Sequence, residues 1–218
     1  MTQETAVEAY AGRAEEYTRL LGTMEATSPI DRTTVSKWAA GQRGALLDVG
    51  CGPGHWTAWL DARRDAGDSP GVTTVAGVEP TPPFVAAARQ RFPDLRFHEA
   101  AAETLPHDSD SVGGILAWYS LIHTRPDSIG DALDEFARVL APGGGLCLGF
   151  FTGPKVARFE HAITPAYFWP VDELAARVER AGFTVLRTQT RHEPGARPHA
   201  DLVARRGSSV AAHRAKLD

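Results

Sequence analysis

The sequence predicts an α/β fold with a mainly parallel sheet and helices on both faces. Helical and strand-like patterns alternate along the chain of 218 residues, as they do in βαβ architectures. An apolar run also ends at Asp48 and passes through Gly50, Gly52 and Gly54 into a helix-like segment. Such a turn lets a ligand lie against bare backbone at the carboxyl end of a strand, where open α/β sheets place their sites.

Seven short apolar runs bounded by Gly, Pro, Asp or Ser residues predict the strands of one sheet. The predicted strands are 45–49, 73–78, 95–98, 112–118, 146–151, 183–188 and 201–204. The last two runs are suited to a closing antiparallel pair. We find no internal repeat and no second core, so we expect one domain over residues 1–205 and a flexible tail over 206–218.

Apolar residues at helical spacing predict the helices between these strands. The first is an amphipathic helix over residues 5–21, and the second covers 31–40 with Asp31 as a candidate N-cap. Helices are further expected after the glycine turn, around 84–92, over 129–140 and around 174–178.

Composition narrows the function classes. The formal net charge of −4 without a block of like charges gives no electrostatic reason to expect nucleic acid or an anionic membrane as partner. The two cysteines, Cys51 and Cys147, build neither a disulfide framework nor a zinc site and are expected to be buried. With no signal-peptide pattern and no apolar run of membrane-spanning length, we expect a soluble, cytoplasmic protein.

Glycine spacing discriminates between nucleotide ligands. A dinucleotide fingerprint, G-x-G-x-x-G, requires glycine at position 55, where the chain has His55. Glu79 ends the second predicted strand, where a carboxylate can accept both hydrogen bonds from a ribose diol. A solvated glutamate at a strand end is the alternative. Pro80 follows, and its ring is suited to lie against an adenine face.

Four motifs now carry a family resemblance: residues 46–54, 78–80, 102–106 and 138–145. In this order they resemble the motifs of class I S-adenosylmethionine (SAM)-dependent methyltransferases, in the small-molecule branch of ubiquinone/menaquinone-biosynthesis-like enzymes. Residues 10–17 are similar to the opening helix of that branch, and the resemblance covers about residues 7–205. It implies a Rossmann-like seven-stranded sheet in the order 3-2-1-4-5-7-6, with the last strand antiparallel, and an N-terminal helical lid.

The resemblance also implies the cofactor contacts. The three turn glycines would surround the methionine moiety of SAM, whose product is S-adenosylhomocysteine, and Glu79 would hold the ribose. Many relatives carry Asp at the position of Ala101, so adenine contacts would come from the backbone of Ala101 and Ala102 or from Glu103. The other candidate cofactor-binding residues are Asp48, Cys51, Trp56, Pro80, Ala117, Trp118, Tyr119, Tyr10, Tyr17 and Arg13.

Two histidines are candidate catalytic bases. Methyl transfer from a sulfonium needs mainly alignment, and a base is required when the acceptor loses a proton. His123 lies just past the fourth predicted strand, and His161 lies in a connection expected to overhang the pocket. A capping role for His123 is the alternative. No carboxylate pair stands after the fourth strand, so no metal is expected.

The predicted function is therefore SAM-dependent methylation of a small-molecule acceptor, with O- or N-methylation favoured over C-methylation. A module that senses SAM without catalysis carries the same motifs and stays open. An NAD-linked oxidoreductase is disfavoured by His55 and by the turn at 141–145. A protein or RNA methyltransferase usually brings a basic face or an added domain, and neither is apparent. The sequence leaves the acceptor and the oligomeric state open.

Overall fold

The computed structural model describes residues 3–193 and 195–207. Most of the predicted C-terminal tail, residues 208–218, lies outside this part of the chain. The strands in these described residues are β1 (Gly44–Val49), β2 (Val72–Glu79), β3 (Arg96–Glu99), β4 (Val112–Trp118), β5 (Leu140–Phe151), β6 (Ala157–Phe159), β7 (Ala166–Phe168), β8 (Phe183–Arg191) and β9 (His199–Arg206). The helices are α1 (Gln3–Ala11), α2 (Ala14–Leu21), α3 (Pro29–Ala40), α4 (His55–Asp65), α5 (Pro82–Arg91), α6 (Ile129–Val139) and α7 (Val171–Arg180).

Seven strands form one sheet in the order β3-β2-β1-β4-β5-β9-β8. The first five are parallel, and β9 runs antiparallel to both β5 and β8. Strands β6 and β7 pair in a separate hairpin that the sequence did not predict. In this sheet β8 and β9 are thus the sixth and seventh strands, and the implied order 3-2-1-4-5-7-6 is confirmed.

Both faces of the central strand β1 are buried, as its continuous apolar run predicts. In β1, Leu47 packs in the cluster that contains Phe136 of α6, whereas Leu46 packs in the cluster that contains Trp38 of α3. Because side chains alternate along a strand, this single run joins the two layers of helices through the sheet.

The predicted helix over residues 5–21 is wrong as one element, because the chain breaks at Gly12 and Arg13 between α1 and α2. There the Arg13 N–H bonds to the Tyr10 carbonyl three residues back instead of four, which ends α1. Helical spacing continued across the break, so periodicity alone could not reveal it. Tyr10 and Tyr17, on opposite sides of the break, both contact Phe84.

The predicted N-cap of the second helix is also wrong. Ser28 caps α3, since its hydroxyl accepts from the Ile30 N–H at 3.2 Å and Pro29 takes the first helical position. Asp31 is instead buried in the first turn, where it forms an ion pair with Arg191. At the other end of the chain, β9 continues to Arg206, which pairs with Asp110, so the sheet extends into the predicted tail.

No helix in residues 3–193 and 195–207 is both long and apolar enough to cross a membrane. In the same part of the chain, no group of three or more His, Cys, Asp or Glu side chains is arranged to hold a metal ion.

Candidate functional site

The glycine turn leaves β1 at its carboxyl end and leads into α4. The Gly50 and Cys51 N–H groups both donate to the Val78 carbonyl, at 2.7 and 3.1 Å, and so fasten the turn to the end of β2. Gly52 has a left-handed φ of +53°, and a Cβ placed there would meet no atom within 4 Å. The backbone at Gly52 is therefore open to a ligand.

Glu79 ends β2 beside this turn. Its Oε2 accepts from the Gly52 N–H at 3.0 Å, and its Oε1 accepts from the Thr81 N–H at 2.9 Å. Burial raises the pKa of the Glu79 carboxyl, while the hydrogen bonds from Thr81 and Gly52 act in the opposite direction. A carboxylate oxygen accepts more than one hydrogen bond, so both oxygens retain capacity for a ligand diol.

A cavity of about 450 Å³ starts at this point. What we call its glycine end consists of Gly50, Gly52, Glu79 and Pro80, and its histidine end consists of Tyr119, His123, Phe151, His161 and His199. Among the lining residues that the structure describes, Glu79 is the only Asp, Glu, Lys or Arg. A second groove, of about 630 Å³, lies between α3 and strands β8 and β9 and contains none of the predicted site residues.

The helices α1 and α2 form a lid over the cavity. Tyr10 and Tyr17 both line it, and their rings contact each other and Phe84 with centroids 5.2 to 5.9 Å apart. Arg13, at the break between the two helices, donates to the Ala162 carbonyl at 2.8 Å. The lid is therefore tied to the segment between β6 and β7.

Arg91 ties the other end of the lid to the glycine turn. Its Nη1 donates to the Pro53 carbonyl at 2.8 Å, and its Nη2 donates to the Gly22 carbonyl at 2.6 Å. Gly22 follows α2, and Pro53 lies within the turn. Sequence reasoning missed this residue, because an arginine at the end of a helix carries no local signal of a long-range bridge.

His123 is held in one tautomer by its two neighbours. Its Nδ1 lies 3.0 Å from the Pro165 carbonyl, and its Nε2 lies 2.9 Å from the Tyr10 hydroxyl. Because a carbonyl only accepts, Nδ1 carries the proton, and Nε2 accepts from Tyr10. Burial lowers the pKa of His123, and burial first, then the charges of Tyr17 and Glu79, raises the pKa of Tyr10. Both groups are therefore neutral at pH 7.

His161 lies beside His123, with ring centroids 5.2 Å apart. Burial, followed by the nearby His123 and Arg197, lowers the pKa of His161 to about 4. A base with so low a pKa binds a proton weakly near neutral pH. Of the two predicted bases, only His123 has an orienting hydrogen bond at one ring nitrogen and a partner at the cavity lid on the other.

Tyr119 follows β4 with a left-handed φ of +57°. Its hydroxyl lies 2.8 Å from His199 Nδ1 and 3.1 Å from Arg191 Nη2. Arg191 also forms an ion pair with Asp31, which connects this corner of the cavity to α3. His199 and Arg191 were missed from sequence. The expected pairing of the last strands placed residues near 199 at this edge of the sheet, but gave no sign of a histidine site.

Several predicted cofactor residues do not line the cavity. Asp48 is 2% exposed, and its Oδ2 accepts from the Thr57 hydroxyl at 2.7 Å. Burial raises the pKa of Asp48 to about 7, partly offset by the Thr57 bond. The predicted residues outside the lining are Asp48, Cys51, Gly54, Trp56, Ala101, Ala102, Glu103, Ala117 and Arg13. Their roles as cofactor contacts stay predictions.

Trp118 and Ser120 complete the wall at the end of β4. A Cβ on Gly50 would stand 2.2 Å from the Ser120 Cβ, so glycine is required for the turn to approach this strand end. The Ser120 hydroxyl is buried without a hydrogen-bond partner in the described part of the chain. It is a further polar group at the junction of the two ends of the cavity, and sequence reasoning missed it.

Comparison with known proteins identifies this arrangement. A family model described as "Methyltransferase domain" matches residues 46–144, which contain the glycine turn, Glu79 and the end of β4. The chain is also 30% identical over 123 residues to the ubiquinone/menaquinone biosynthesis C-methyltransferase UbiE of Campylobacter jejuni, covering 56% of this chain and 51% of that protein. Together these matches support a class I SAM-dependent methyltransferase.

One further relative and one solved structure are similar to the chain. It is 32% identical over 165 residues to the methyltransferase GfsG of Streptomyces halstedii, covering 65% of this chain and 53% of that protein. The chain thus spans about half the length of these two curated relatives. The structure of the 1,6-didemethyltoxoflavin-N1-methyltransferase of Burkholderia thailandensis, with 1,6-didemethyltoxoflavin and S-adenosylhomocysteine bound, superposes with a TM-score of 0.73 at 21% identity, covering 95% of this chain and 92% of that one. The expected fold class is confirmed.

Proposed function

We propose that the protein transfers a methyl group from SAM to a hydroxyl or amine of a small-molecule acceptor. One observation carries the proposal: a single cavity joins the open backbone of Gly52 and the Glu79 carboxylate to the Nε2 atom of His123. The donor and the acceptor of a direct transfer must meet in one enclosed space, in line with the bond that breaks.

The residues of the glycine end fit the donor. Gly52 offers an unobstructed backbone, and Glu79 offers two carboxylate oxygens for the ribose diol. Pro80 and Phe84 provide apolar surface for the purine, and the unpartnered Ser120 hydroxyl supplies a further hydrogen-bonding group beside Gly50. When bound, SAM supplies a methyl group on a positively charged sulfur, which is already activated for transfer.

The protein's own contribution is alignment, exclusion of water and acceptance of a proton. Tyr10 and Tyr17 on the lid cover the cavity and keep water from the transfer site. The Pro165 carbonyl holds His123 with its proton on Nδ1 and its electron pair on Nε2, which is suited to accept the proton of an acceptor O–H or N–H. The acceptor group takes the place of the Tyr10 hydroxyl on that atom.

Ligand-induced stabilisation tests the donor assignment. SAM and S-adenosylhomocysteine at saturating concentration are expected to raise the melting temperature, whereas NAD is not, because a ligand stabilises only the fold that binds it. Calorimetric titration of the same samples gives the dissociation constants. Stabilisation by NAD alone would overturn the proposal.

A second candidate is a module that binds SAM without catalysis. It is favoured by the Tyr10 hydroxyl, which occupies the electron pair that a base at His123 would use. Mass-spectrometric detection of S-adenosylhomocysteine formed with a panel of phenols and amines separates the two candidates. Formation in excess of the acceptor-free rate identifies an enzyme. Tight SAM binding with no formation across the panel identifies the binding module.

The proposal extends to a reducing, cytoplasmic setting. Cys51 and Cys147 are both free thiols and both buried. Such thiols pack as small apolar side chains and persist most simply where the cell keeps cysteines reduced. Thiol titration of the protein purified from cytoplasmic extract, expected to give two titratable thiols only after unfolding, checks this setting.

A further inference from the structure

Two histidines at the histidine end are held in opposite tautomers. For His123 the assignment follows from the Pro165 carbonyl, which lies 3.0 Å from Nδ1 and can only accept. The proton is on Nδ1, and Nε2 presents an electron pair. His123 is therefore the hydrogen-bond acceptor of this end of the cavity.

His199 has the reverse arrangement. Arg191 Nη2 always donates, so the Tyr119 oxygen accepts from it at 3.1 Å. The Tyr119 O–H then needs an acceptor, and His199 Nδ1 lies 2.8 Å away. Burial raises the pKa of Tyr119 and lowers that of His199, so both stay neutral and the tyrosine keeps its proton. Nδ1 of His199 accepts, and Nε2 carries the proton as a donor.

The two histidines are joined by successive ring contacts. His123 contacts His161 at 5.2 Å between centroids, His161 contacts Phe151 at 6.0 Å, and Phe151 contacts His199 at 5.2 Å. The His123 and His199 rings thus stand apart, with aromatic surface between them. A flat ring laid on this surface can present polar groups to both histidines if those groups are at separate positions on the ring.

The charges at the histidine end further restrict the ligand. No Asp, Glu, Lys or Arg side chain lines it in the part of the chain that the structure describes, and the Arg191 charge is already paired with Asp31. Arg197, the nearest other guanidinium, lies outside the lining, over the Phe159 ring and on the Glu160 carbonyl. A carboxylate or ammonium group placed at the histidine end would therefore lose its hydration without an opposite charge among the described lining residues there. The occupant is therefore uncharged.

We propose that the acceptor is an uncharged aromatic or heteroaromatic molecule with a hydroxyl at one side of the ring and a carbonyl at another. The hydroxyl donates to His123 Nε2, and the carbonyl accepts from His199 Nε2–H. This inference rests on the proposed function. His199 is then the residue that selects the acceptor, and Tyr119 and Arg191 are positioning residues that fix its tautomer.

The chemical step balances with these groups alone. The bond between the acceptor oxygen and the methyl carbon forms while the carbon–sulfur bond breaks, and the electron pair of that bond stays on sulfur. The hydroxyl proton passes to His123 Nε2. The carbonyl of the acceptor keeps its hydrogen bond to His199 throughout, so His199 contributes to binding rather than to proton transfer.

Binding of three matched phenols tests the proposal. The probes are 4-hydroxyacetophenone, 4-ethylphenol, which lacks the carbonyl, and 4-hydroxybenzoate, which is charged. With S-adenosylhomocysteine saturating, calorimetry is expected to show 4-hydroxyacetophenone binding about fivefold more tightly than 4-ethylphenol, as one net hydrogen bond provides. The benzoate is expected to bind most weakly.

Two variants assign the preference to His199. His199→Phe keeps a ring in place but removes the donor, and Tyr119→Phe removes the hydroxyl that fixes the tautomer. Both are expected to reduce the fivefold preference to about one, each measured with its own saturating concentration of S-adenosylhomocysteine. His192→Phe, at an exposed histidine of the neighbouring segment, is the matched control. Retention of the preference in both variants would overturn the proposal.

Imidazole nitrogen NMR shifts of the ligand-free protein provide a readout that needs no activity. We expect the Nδ1–H tautomer at His123 and the Nε2–H tautomer at His199. Equal tautomers at both, or no phenol binding to the S-adenosylhomocysteine complex, contradicts the acceptor inference. Absence of S-adenosylhomocysteine binding instead contradicts the proposed function. The tautomers of His123 and His199 are measured without ligand, so they test the hydrogen-bonding pattern of the histidine end in either case.

Discussion

The Tyr10 hydroxyl donates a 2.9 Å hydrogen bond to Nε2 of His123, across 113 residues of sequence. This bond joins the lid to the strand end where the acceptor is proposed to bind. It also occupies the nitrogen that would accept a proton from the acceptor. If an acceptor binds Nε2 as proposed, the Tyr10 hydroxyl has to leave that atom, so we expect acceptor binding to be linked to a displacement of the Tyr10 side chain on α1.

The His123 environment predicts the pH dependence of methyl transfer. Burial lowers the pKa of His123, so the neutral, proton-accepting form persists below the ordinary histidine pKa of about 6.5. The acid limb of kcat/KM is expected to have its midpoint below pH 6.5, with activity lost as the pH falls through it. A pH–rate profile checks this. A midpoint above 6.5, or an unchanged limb in His123→Gln, would exclude His123 as the base.

Glu79→Gln is expected to weaken binding of S-adenosylhomocysteine about 10- to 100-fold, or roughly 1–3 kcal/mol, the usual effect of losing a charged hydrogen-bond acceptor. The amide nitrogen would also face the Gly52 or Thr81 N–H, which now donate to the carboxylate. Glu99→Gln is the matched control, because Glu99 is the exposed partner of Glu79 on β3. Equal calorimetric affinity in wild type and Glu79→Gln would remove Glu79 from the donor site.

Arg91→Gln is expected to loosen the lid. The guanidinium bonds to Gly22 and Pro53 would be lost, and hydrogen bonds from charged groups contribute roughly 1.5–3 kcal/mol each. Limited proteolysis is expected to cut within residues 3–22 faster than in wild type, and S-adenosylhomocysteine affinity is expected to fall about tenfold. Arg89→Gln is the control, because Arg89 lies on the same helix as Arg91 but donates to the Phe97 carbonyl of β3. Equal cleavage rates in the two variants would show that Arg91 does not hold the lid.

Asp48→Asn is expected to change how stability depends on pH. Burial raises the pKa of Asp48 in the folded protein to about 7, above its value in the unfolded chain. Its contribution to the free energy of unfolding is therefore complete below about pH 4 and is lost as the pH rises to about 7. The variant, whose side-chain oxygen still accepts from Thr57, should therefore gain stability relative to wild type as the pH rises over this range, by a few kcal/mol at most. Urea unfolding at several pH values measures the difference. A pH-independent difference would mean that Asp48 titrates normally.

Local sequence patterns determined the sheet, the glycine turn and the place of Glu79. Each depends on residues that are near neighbours in the chain: a buried run such as Leu46 and Leu47, glycines that permit a left-handed turn, and an acid at a strand end. Parallel strands then bring Gly52 and Glu79 together, because β1 and β2 are adjacent and end at the same edge.

Tertiary structure alone decided how the lid is anchored and how the histidine end of the cavity is built. Tyr119 meets His199 across 80 residues, and Arg91 meets Gly22 across 69. Neither pair has a periodic pattern or a fixed spacing, since each contact depends on how separate elements dock rather than on local backbone preference. The sequence by itself therefore specified the fold and the proposed donor end, whereas packing fixed the histidine tautomers that define the proposed acceptor.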